Sequence, residues 1–583
     1  MKDDLTDRII NPLRAVARRY SVMPEYATFA VAYVILLAVR QGRGFPLPEL
    51  NDILSGAEAL PKYVRTFIVD AVGGHWSDYQ RVAGTFTEDD LADFFATEGT
   101  RLLMRAKRDA TPHPVIDTLC LALLQIEKED SLADLNSGIG RFVQRAWFYL
   151  WNTGGSDEGF SVTGYSIAPE FAAITYINCD VAGIGVKVVN DDPFMCGGIR
   201  YDKVMVIPPF GCEARDLRIK DVDRSIRSRF EDFPEIRLAS ADWLFAARAA
   251  AMLKPGGRAV AAVPMNALNG SQSEAYREFF VRNKMVEAVI AIPKGFLNGS
   301  QIAFALIVLH EGSNEIKFVN GEEYVKNAEG LARSDDSKTL DLNALLADYR
   351  NLNDYEAVTT RSLDKVYANE CTLVPDFYLG EDLAYVNSRP FGELVKAIRR
   401  GAKLSISEWR DFEGDSNSVV KKVAFKNFSD GLVDEILPGL SEVPPGAKEA
   451  VLETGDLLVS RMGFPFKIAV VEHRAETLVA DENVWIVRMG GNRTLAYYLR
   501  AYLESERGSK WLSRMSAGAT LRTISAKNIG KIPVPDADGE TLGAIAHELE
   551  KSTILVRENR KRLDDSLSAM KNVFNAFSKN GGL

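Results

Sequence analysis

The chain has 583 residues, 46% of them apolar and 26% charged, the composition of a globular protein large enough to bury several cores. At ~150 residues per domain, that length suggests about four domains. A net charge of −10 and an isoelectric point near 5.4 exclude indiscriminate coating of nucleic acid, but not a local basic groove, because phosphates meet only the local field.

The amino terminus, Met1 to Leu13, is charged and lacks the apolar core of a secretion signal. Phe29 to Val39 is apolar but too short to span a bilayer, and Arg40 ends it. It reads as a buried helix, and no membrane association is expected. Residues 1–105 read as a helical N-terminal domain. Thr87, with Asp90 three residues on, marks a helix start of the hydroxyl-and-acid kind, and Leu91, Phe94 and Phe95 follow at helical spacing. The cysteines (Cys120, Cys179, Cys196, Cys212 and Cys371) are odd in number, and no two have the spacing of a zinc site. They read as free thiols in a reducing cytoplasm, with no metal expected.

From 106 to 312 helical stretches alternate with short strand-like runs: Ser131 to Asp134, Gly159 to Tyr165, Val186 to Val189, Lys203 to Val206, Ala259 to Val263, Ala288 to Ile292 and Ala303 to Leu309. Alternating β and α units predict a mostly parallel sheet with helices on both faces. Residues 313–370 are polar and acidic, and read as a linker with some helix or an extension packed on the sheet domain. From 371 to 536 short strands are broken by turn signals at Asp430-Gly431, Pro438-Gly439, Pro444-Pro445-Gly446 and Gly455-Asp456, predicting a separate α+β unit. Residues 537–583 read as a long helix. Leu542, Leu549, Val556, Leu563, Met570 and Phe577 recur at seven-residue steps, and a mixed seam of Ile545, Ser552, Asn559, Ser566 and Val573 lies between them. Such a helix either pairs with another helix or packs on its own domain.

The most informative window runs from Ala133 through Asp134, Leu135, Asn136, Ser137, Gly138, Ile139 and Gly140 to Arg141-Phe142. A strand ends in an acid, and Gly-x-Gly opens a helix, which permits a tight turn and close approach of backbone to a ligand. Alone, such a turn is more often structural than ligand-binding. Its context is ordered: Thr111-Pro112 upstream, then the strand from Tyr201 ending in Ile207-Pro208-Pro209-Phe210, then Leu253 to Arg258 leading into another strand, then Val289 to Phe296 and Gly299 to Ile302. This set resembles the N6-adenine DNA methyltransferases, most of all the modification subunits of type I restriction systems, over roughly residues 105–312 with a helical domain before them. The resemblance implies a Rossmann-like S-adenosylmethionine-dependent fold. In it Asp134, Asn136, Gly138 and Gly140 would line the cofactor site. Thr111 and Pro112 would lie near the methionine end, Ser166 near the ribose, and Asp191 or Asp192 near the adenine ring. Phe210 would stack on a target adenine flipped out of the duplex; otherwise it is an ordinary core aromatic.

Two positions depart from that family. Ile207 stands where the family has Asn or Asp before Pro-Pro-Phe. There a side-chain oxygen and the first proline's carbonyl accept the two N–H bonds of the target amine, and isoleucine has no acceptor. One such lost hydrogen bond costs about 3–4 kcal/mol, a factor of ~10²–10³ in rate. Ser166 stands where an acid takes the ribose hydroxyls, and a serine hydroxyl is a shorter, poorer acceptor. Leu135 in place of the family's proline is a milder change. Weakened cofactor binding and impaired methyl transfer are expected.

Residues 371–578 resemble the specificity subunits of type I systems. Leu373 to Leu379 resembles their entry segment, Leu452 to Arg461 their Gly-Asp-Leu-Leu-Val-Ser-Arg strand, and Gly518 to Ser525 with Ile532 to Pro535 their closing pattern. One recognition domain is visible where such subunits carry two. The resemblance implies that one chain reads one half-site and a homodimer through the terminal helix reads two. Basic residues cluster from Lys396 to Lys527. Among them Arg461, Arg522 and Lys527 are the expected DNA contacts, and the rest read as a solvated face. The fold class is therefore α/β, comprising a helical domain, a methyltransferase-like domain and an α+β target-recognition domain with a long terminal helix. The expected partners are double-stranded DNA and a restriction or effector subunit. An active adenine methyltransferase and a protein-interaction scaffold are the alternatives.

Overall fold

The apolar run from Phe29 to Val39 lies within one helix, Pro24–Arg40, whose residues from Ala27 to Ala38 are all buried. The computed structural model describes residues 9–20, 23–43, 45–72, 74–83, 87–105, 111–154, 160–195, 197–236, 241–327, 338–351, 357–379, 387–516 and 522–579. Among the described residues, no helix is long and apolar enough to cross a membrane. The helix Glu88–Phe94 starts at Thr87, whose hydroxyl accepts from the Asp90 N–H at 3.1 Å while Asp90 accepts from the Thr87 N–H at 3.0 Å. The chain divides into two compact units, Met1–Leu379 and Gly380–Leu583.

In the first unit the N-terminal helices pack on the helix Pro169–Val181. Tyr33 and Arg40 both donate to Asp180 at 3.0 Å, and Ile174 and Ile177 share the helical core. Beyond them lies a nine-stranded sheet. Its strands are β1 (Ser131–Asp134), β2 (Ser161–Tyr165), β3 (Val186–Val189), β4 (Tyr201–Val206), β5 (Leu253–Pro264), β6 (Val286–Ile292), β7 (Phe304–His310), β8 (Glu315–Asn320) and β9 (Val358–Ser362). Their spatial order is β9-β8-β6-β7-β5-β4-β1-β2-β3. The sheet is mixed. Five pairings are parallel, and three are antiparallel: β7 against β5 and β6, and β9 against β8.

The central strands are buried on both faces, which is why they read as continuous apolar runs. Ala259, Ala261 and Val263 of β5 enter one core, beneath the helices Asp242–Ala251 and Glu274–Arg282. Val260 and Ala262 enter the other, beneath Pro114–Leu124 and Arg141–Gly154. Residues 313–370 contribute the edge strands β8 and β9 and the helix Leu342–Arg350.

In the second unit the strands Ala397–Arg400, Val484–Arg488, Leu457–Ser460, Ile468–Val470, Leu432–Val433 and Phe428–Ser429 form a six-stranded sheet in that order. Val420–Val423 lies between Gly439–Leu440 and Thr477–Ala480 in a smaller one. The helix Gly539–Lys579 packs its first half on Arg493–Glu504, where Arg500 donates to the Thr553 hydroxyl at 2.8 Å. From Glu558 to Met570 every residue is exposed.

Candidate cofactor cavity and nucleic-acid face

The order of strands reverses between β1 and β4, and at that crevice, beyond the strands' carboxyl ends, lies a cavity of about 750 Å³. This is a size suited to a cofactor. Thr111, Pro112, Asp134, Asn136, Gly138, Ser166, Ile207, Pro208, Pro209 and Phe210 all line it. Gly140 and Asp191 do not. Gly140 (φ +82°) sits behind the wall, where a Cβ would lie 2.9 Å from Thr175 Cγ2. Asp191 is exposed, and its carboxylate accepts from the Asp192 N–H at 2.8 Å.

Backbone and side-chain bonds fix the glycine turn. The Leu135 N–H donates to the Met205 carbonyl at 2.9 Å, and the Ser137 N–H to the Tyr165 carbonyl at 2.9 Å. The Thr175 hydroxyl donates to the Gly138 carbonyl at 2.9 Å, and Asn178 Nδ2 to the Ile139 carbonyl at 2.8 Å. The opposite wall is a pairing of two loops, in which the Asn298 N–H donates to the Thr111 carbonyl at 2.8 Å.

The charge in the cavity is unusual. Asp134 is buried and accepts the Asn136 N–H at 3.0 Å; burial pushes its carboxyl up to about 7. Asp117, which also lines the cavity, is 3% exposed and pairs with Arg141 Nε at 2.5 Å. Arg141 also donates to the Pro112 carbonyl, tying the glycine turn to the Thr111-Pro112 segment. These two residues were missed in the sequence. The only signal was their places, one directly after Gly140 and the other on the helix following Pro112.

At the opposite end Ser166 is 3% exposed, its N–H donates to the Val189 carbonyl at 3.0 Å, and its hydroxyl donates to the Ala168 carbonyl at 3.3 Å. Ile207 is 6% exposed and packs in the core with Met205, Phe296 and Phe304. Its carbonyl accepts Asn136 Nδ2 at 2.7 Å. Phe210 is half-buried, with its ring 5.7 Å from that of Phe304 and tilted by 39°. It therefore meets both the core and the cavity.

In the second unit the basic residues divide. Lys421 is buried and donates to the Ser416 carbonyl at 2.6 Å, Arg400 pairs with Glu482 at 2.7 Å, and Lys422 lies over the Trp409 ring at 4.0 Å. Arg461 and Arg522 flank one hairpin tip and are half-buried, whereas Lys527 is exposed on the helix Ala526–Gly530. Gly518 to Thr520 lie outside the described residues. Among the described residues, no group of three or more His, Cys, Asp or Glu is placed to hold a metal.

Residues 108–383 match the family model described as N-6 DNA Methylase. The match supports an N6 DNA methyltransferase for this part of the chain, and the mixed sheet with helices on both faces fits a methyltransferase fold. No curated protein matches the sequence. Among solved structures, the chain is similar to a nuclease-deletion mutant of the Type ISP restriction-modification enzyme LlaGI in complex with a DNA substrate mimic. The TM-score is 0.50 at 11% identity, over 94% of this chain and 54% of that one. It is also similar to the type I restriction-modification methyltransferase subunit from Streptococcus thermophilus, with a TM-score of 0.46 at 14% identity over 65% of this chain and 99% of that one. The type IIG restriction endonuclease BpuSI gives a TM-score of 0.46 at 12% identity, over 94% of this chain and 75% of that one. At 11% identity the LlaGI likeness speaks to fold alone.

Proposed function

We propose that the chain is a sequence-specific binder of double-stranded DNA in a restriction-modification or phage-defence system, whose N6-adenine methyltransferase domain transfers methyl groups poorly. Residue 207 carries this reading. The cavity gathers most of the expected lining residues, yet the position that should present an acceptor to the target amine holds a buried isoleucine, and its carbonyl is already engaged by Asn136. S-adenosylmethionine supplies the methyl group when bound. The cavity suits it in size, and the open space at Gly138 (φ +52°) lets a ligand approach the backbone closely. Thr111, Pro112, Asp134 and Gly138 would hold it, while Ser166 gives the ribose a weaker grip than a carboxylate would. The second unit reads one DNA half-site through Arg461, Arg522 and Lys527. A restriction or effector subunit and a second copy of the chain complete the assembly.

The test is transfer of labelled methyl from S-adenosylmethionine to unmodified genomic DNA, with Ile207→Asn in parallel. Silence from the wild type and incorporation by the variant is the expected result, since restoring one acceptor is worth about 10²–10³ in rate. Efficient incorporation by the wild type would instead establish an active methyltransferase, the reading that the intact cavity favours.

A further inference from the structure

The loop between strands Leu457–Ser460 and Ile468–Val470 presents an aromatic ring to solvent. Phe464 is 50% exposed. The Arg522 guanidinium lies 5.1 Å from its ring centroid, and Phe466 meets it edge-on at 6.1 Å. The tip is held from both sides. The Gly463 N–H donates to the Arg522 carbonyl at 2.9 Å, the Ile524 N–H to the Arg461 carbonyl at 3.1 Å, and Met462 pairs with Thr523. Trp485 Nε1 anchors the same segment by donating to the Ile524 carbonyl at 2.8 Å. Across the hairpin the Lys467 N–H donates to the Ser460 hydroxyl at 2.9 Å. A ring fixed this firmly loses little entropy when it is covered.

The charges around it point to the occupant. The neighbouring Arg400 is neutralised by Glu482, and at the far end of the same hairpin Arg488 pairs with Glu453 and Arg493 with Glu550. Arg461, Lys467 and Arg522, the three cations of this hairpin and the segment bound to it, form no ion pair among the described residues. In a chain of net charge −10, that leaves three cations beside an apolar ring with no ion-pair partner, Arg461 held by Asn483 and Arg522 by Ser513. Duplex DNA has the complementary layout, with anionic phosphates outside and apolar base faces inside the stack. A hydrophobic protein groove would cover the ring but give the cations no anion.

We propose that Phe464 is a wedge that inserts against a base-pair step of the bound duplex, with Arg461, Lys467 and Arg522 on the flanking phosphates. The proposal rests on the reading of this unit as a DNA-binding module, and it adds a residue that determines specificity through deformation. Inserted apolar side chains kink a duplex by roughly 20–90°. Flexible pyrimidine–purine steps would then be preferred at a position the protein need not read by hydrogen bonds.

The experiment uses the full chain. Duplexes selected from a random library with the wild type are measured for affinity and for bending, by energy transfer between end labels. We expect bent complexes from the wild type and from Phe464→Trp. Phe464→Ala, with unchanged thermal unfolding, binds about 10-fold more weakly and leaves the duplex straight. Equal affinity and equal bending for Phe464→Ala would overturn the wedge while leaving the module reading intact. Failure of the wild type to enrich any duplex would overturn both, and would turn the ring towards a protein partner.

Discussion

A carboxyl group shut away from water, with one backbone donor for company, is costly to ionise at neutral pH. Asp134 is such a group: burial raises it from 3.8 to about 7 in the folded chain, and the nearby Asp117 charge pushes the same way. Between those two values the folded state keeps a proton that the unfolded state has lost, so stability falls as pH rises through the interval. Above about 7 both states are ionised and the penalty is complete. Asp134→Asn keeps the shape and the acceptor for the Asn136 N–H, and removes the ionisation. Its melting temperature relative to the wild type is therefore expected to climb from pH 4 to pH 7 and then level off; parallel curves across that range would refute the buried-acid account. Asp117 and Arg141 give a second test at this scale. Arg141→Ala strands a carboxylate that is 3% exposed, with only Arg145 at 3.8 Å to help it. Removing one partner of such a pair costs about 3–5 kcal/mol. The double variant Asp117→Asn/Arg141→Ala should recover part of that loss in a denaturant titration, and a loss merely equal to the sum of the single changes would show no coupling.

At the scale of elements, the turn from β1 into the helix Arg141–Gly154 separates two roles that the Gly-x-Gly pattern does not distinguish. Both glycines have positive φ, and an alanine in that region costs ~1–2 kcal/mol. At Gly138 a Cβ meets open space within the cavity wall, whereas at Gly140 it would press on Thr175 Cγ2 at 2.9 Å and Thr175 Cα at 3.0 Å. Gly140→Ala should therefore destabilise the chain by well over the conformational cost alone. Gly138→Ala should cost only ~1–2 kcal/mol in chemical denaturation but weaken ligand binding in calorimetry. Equal destabilisation by the two would contradict this division.

The same turn shows what was legible in the sequence. β1 and β3 match their expected bounds, because turn signals close both ends of each four-residue run, although β1 has three buried residues and β3, at the sheet edge, has none. β8 and β9 were absorbed into a polar stretch, because strands near a sheet edge pack few residues inward: Val358 and Thr359 are buried while Thr360 to Ser362 are not. Nor did strand direction have a signature, since β7 is as apolar as β5 and β6, to both of which it runs antiparallel. In the site, the residues on one short loop could be grouped from the sequence. The Asn136–Ile207 and Asp117–Arg141 contacts join positions 71 and 24 residues apart and required the fold.

At the scale of the whole molecule, the proposed half-site reading turns on the terminal helix, which on that reading would decide how many recognition units meet one DNA. A helix of 41 residues at 1.5 Å each runs roughly 60 Å. Its first half is anchored by Arg500 on Thr553, by Arg493 on Glu550, and by Arg557 on the Val433 carbonyl. From Val556 onward, Val556, Leu563, Leu567 and Met570 lie along one side at 48, 58, 44 and 70% exposure. Spacings of three, four and seven are those of a helix–helix seam, and a lone helix gains nothing by showing them to water. The polar residues beside the seam are self-complementary, because Lys561-Arg562 and Asp564-Asp565 flank Leu563 on its two sides. Two copies crossing antiparallel at Leu563 would bring each basic pair towards the other's acidic pair. A dimer formed this way carries two recognition units, hence two half-sites related by the two-fold axis. Sedimentation velocity on the full chain should then give a dimer for the wild type and a monomer for Leu563→Glu/Met570→Glu. Ser568→Glu, a change of the same sign on another face, should leave the dimer intact. The monomeric variant should still bind a single half-site, more weakly than the dimer binds a paired site by the effective-concentration gain of a second linked contact, about 10²–10⁴. A wild type that sediments as a monomer at every concentration, or a dimer indifferent to Leu563 and Met570, would mean that the seam serves another partner.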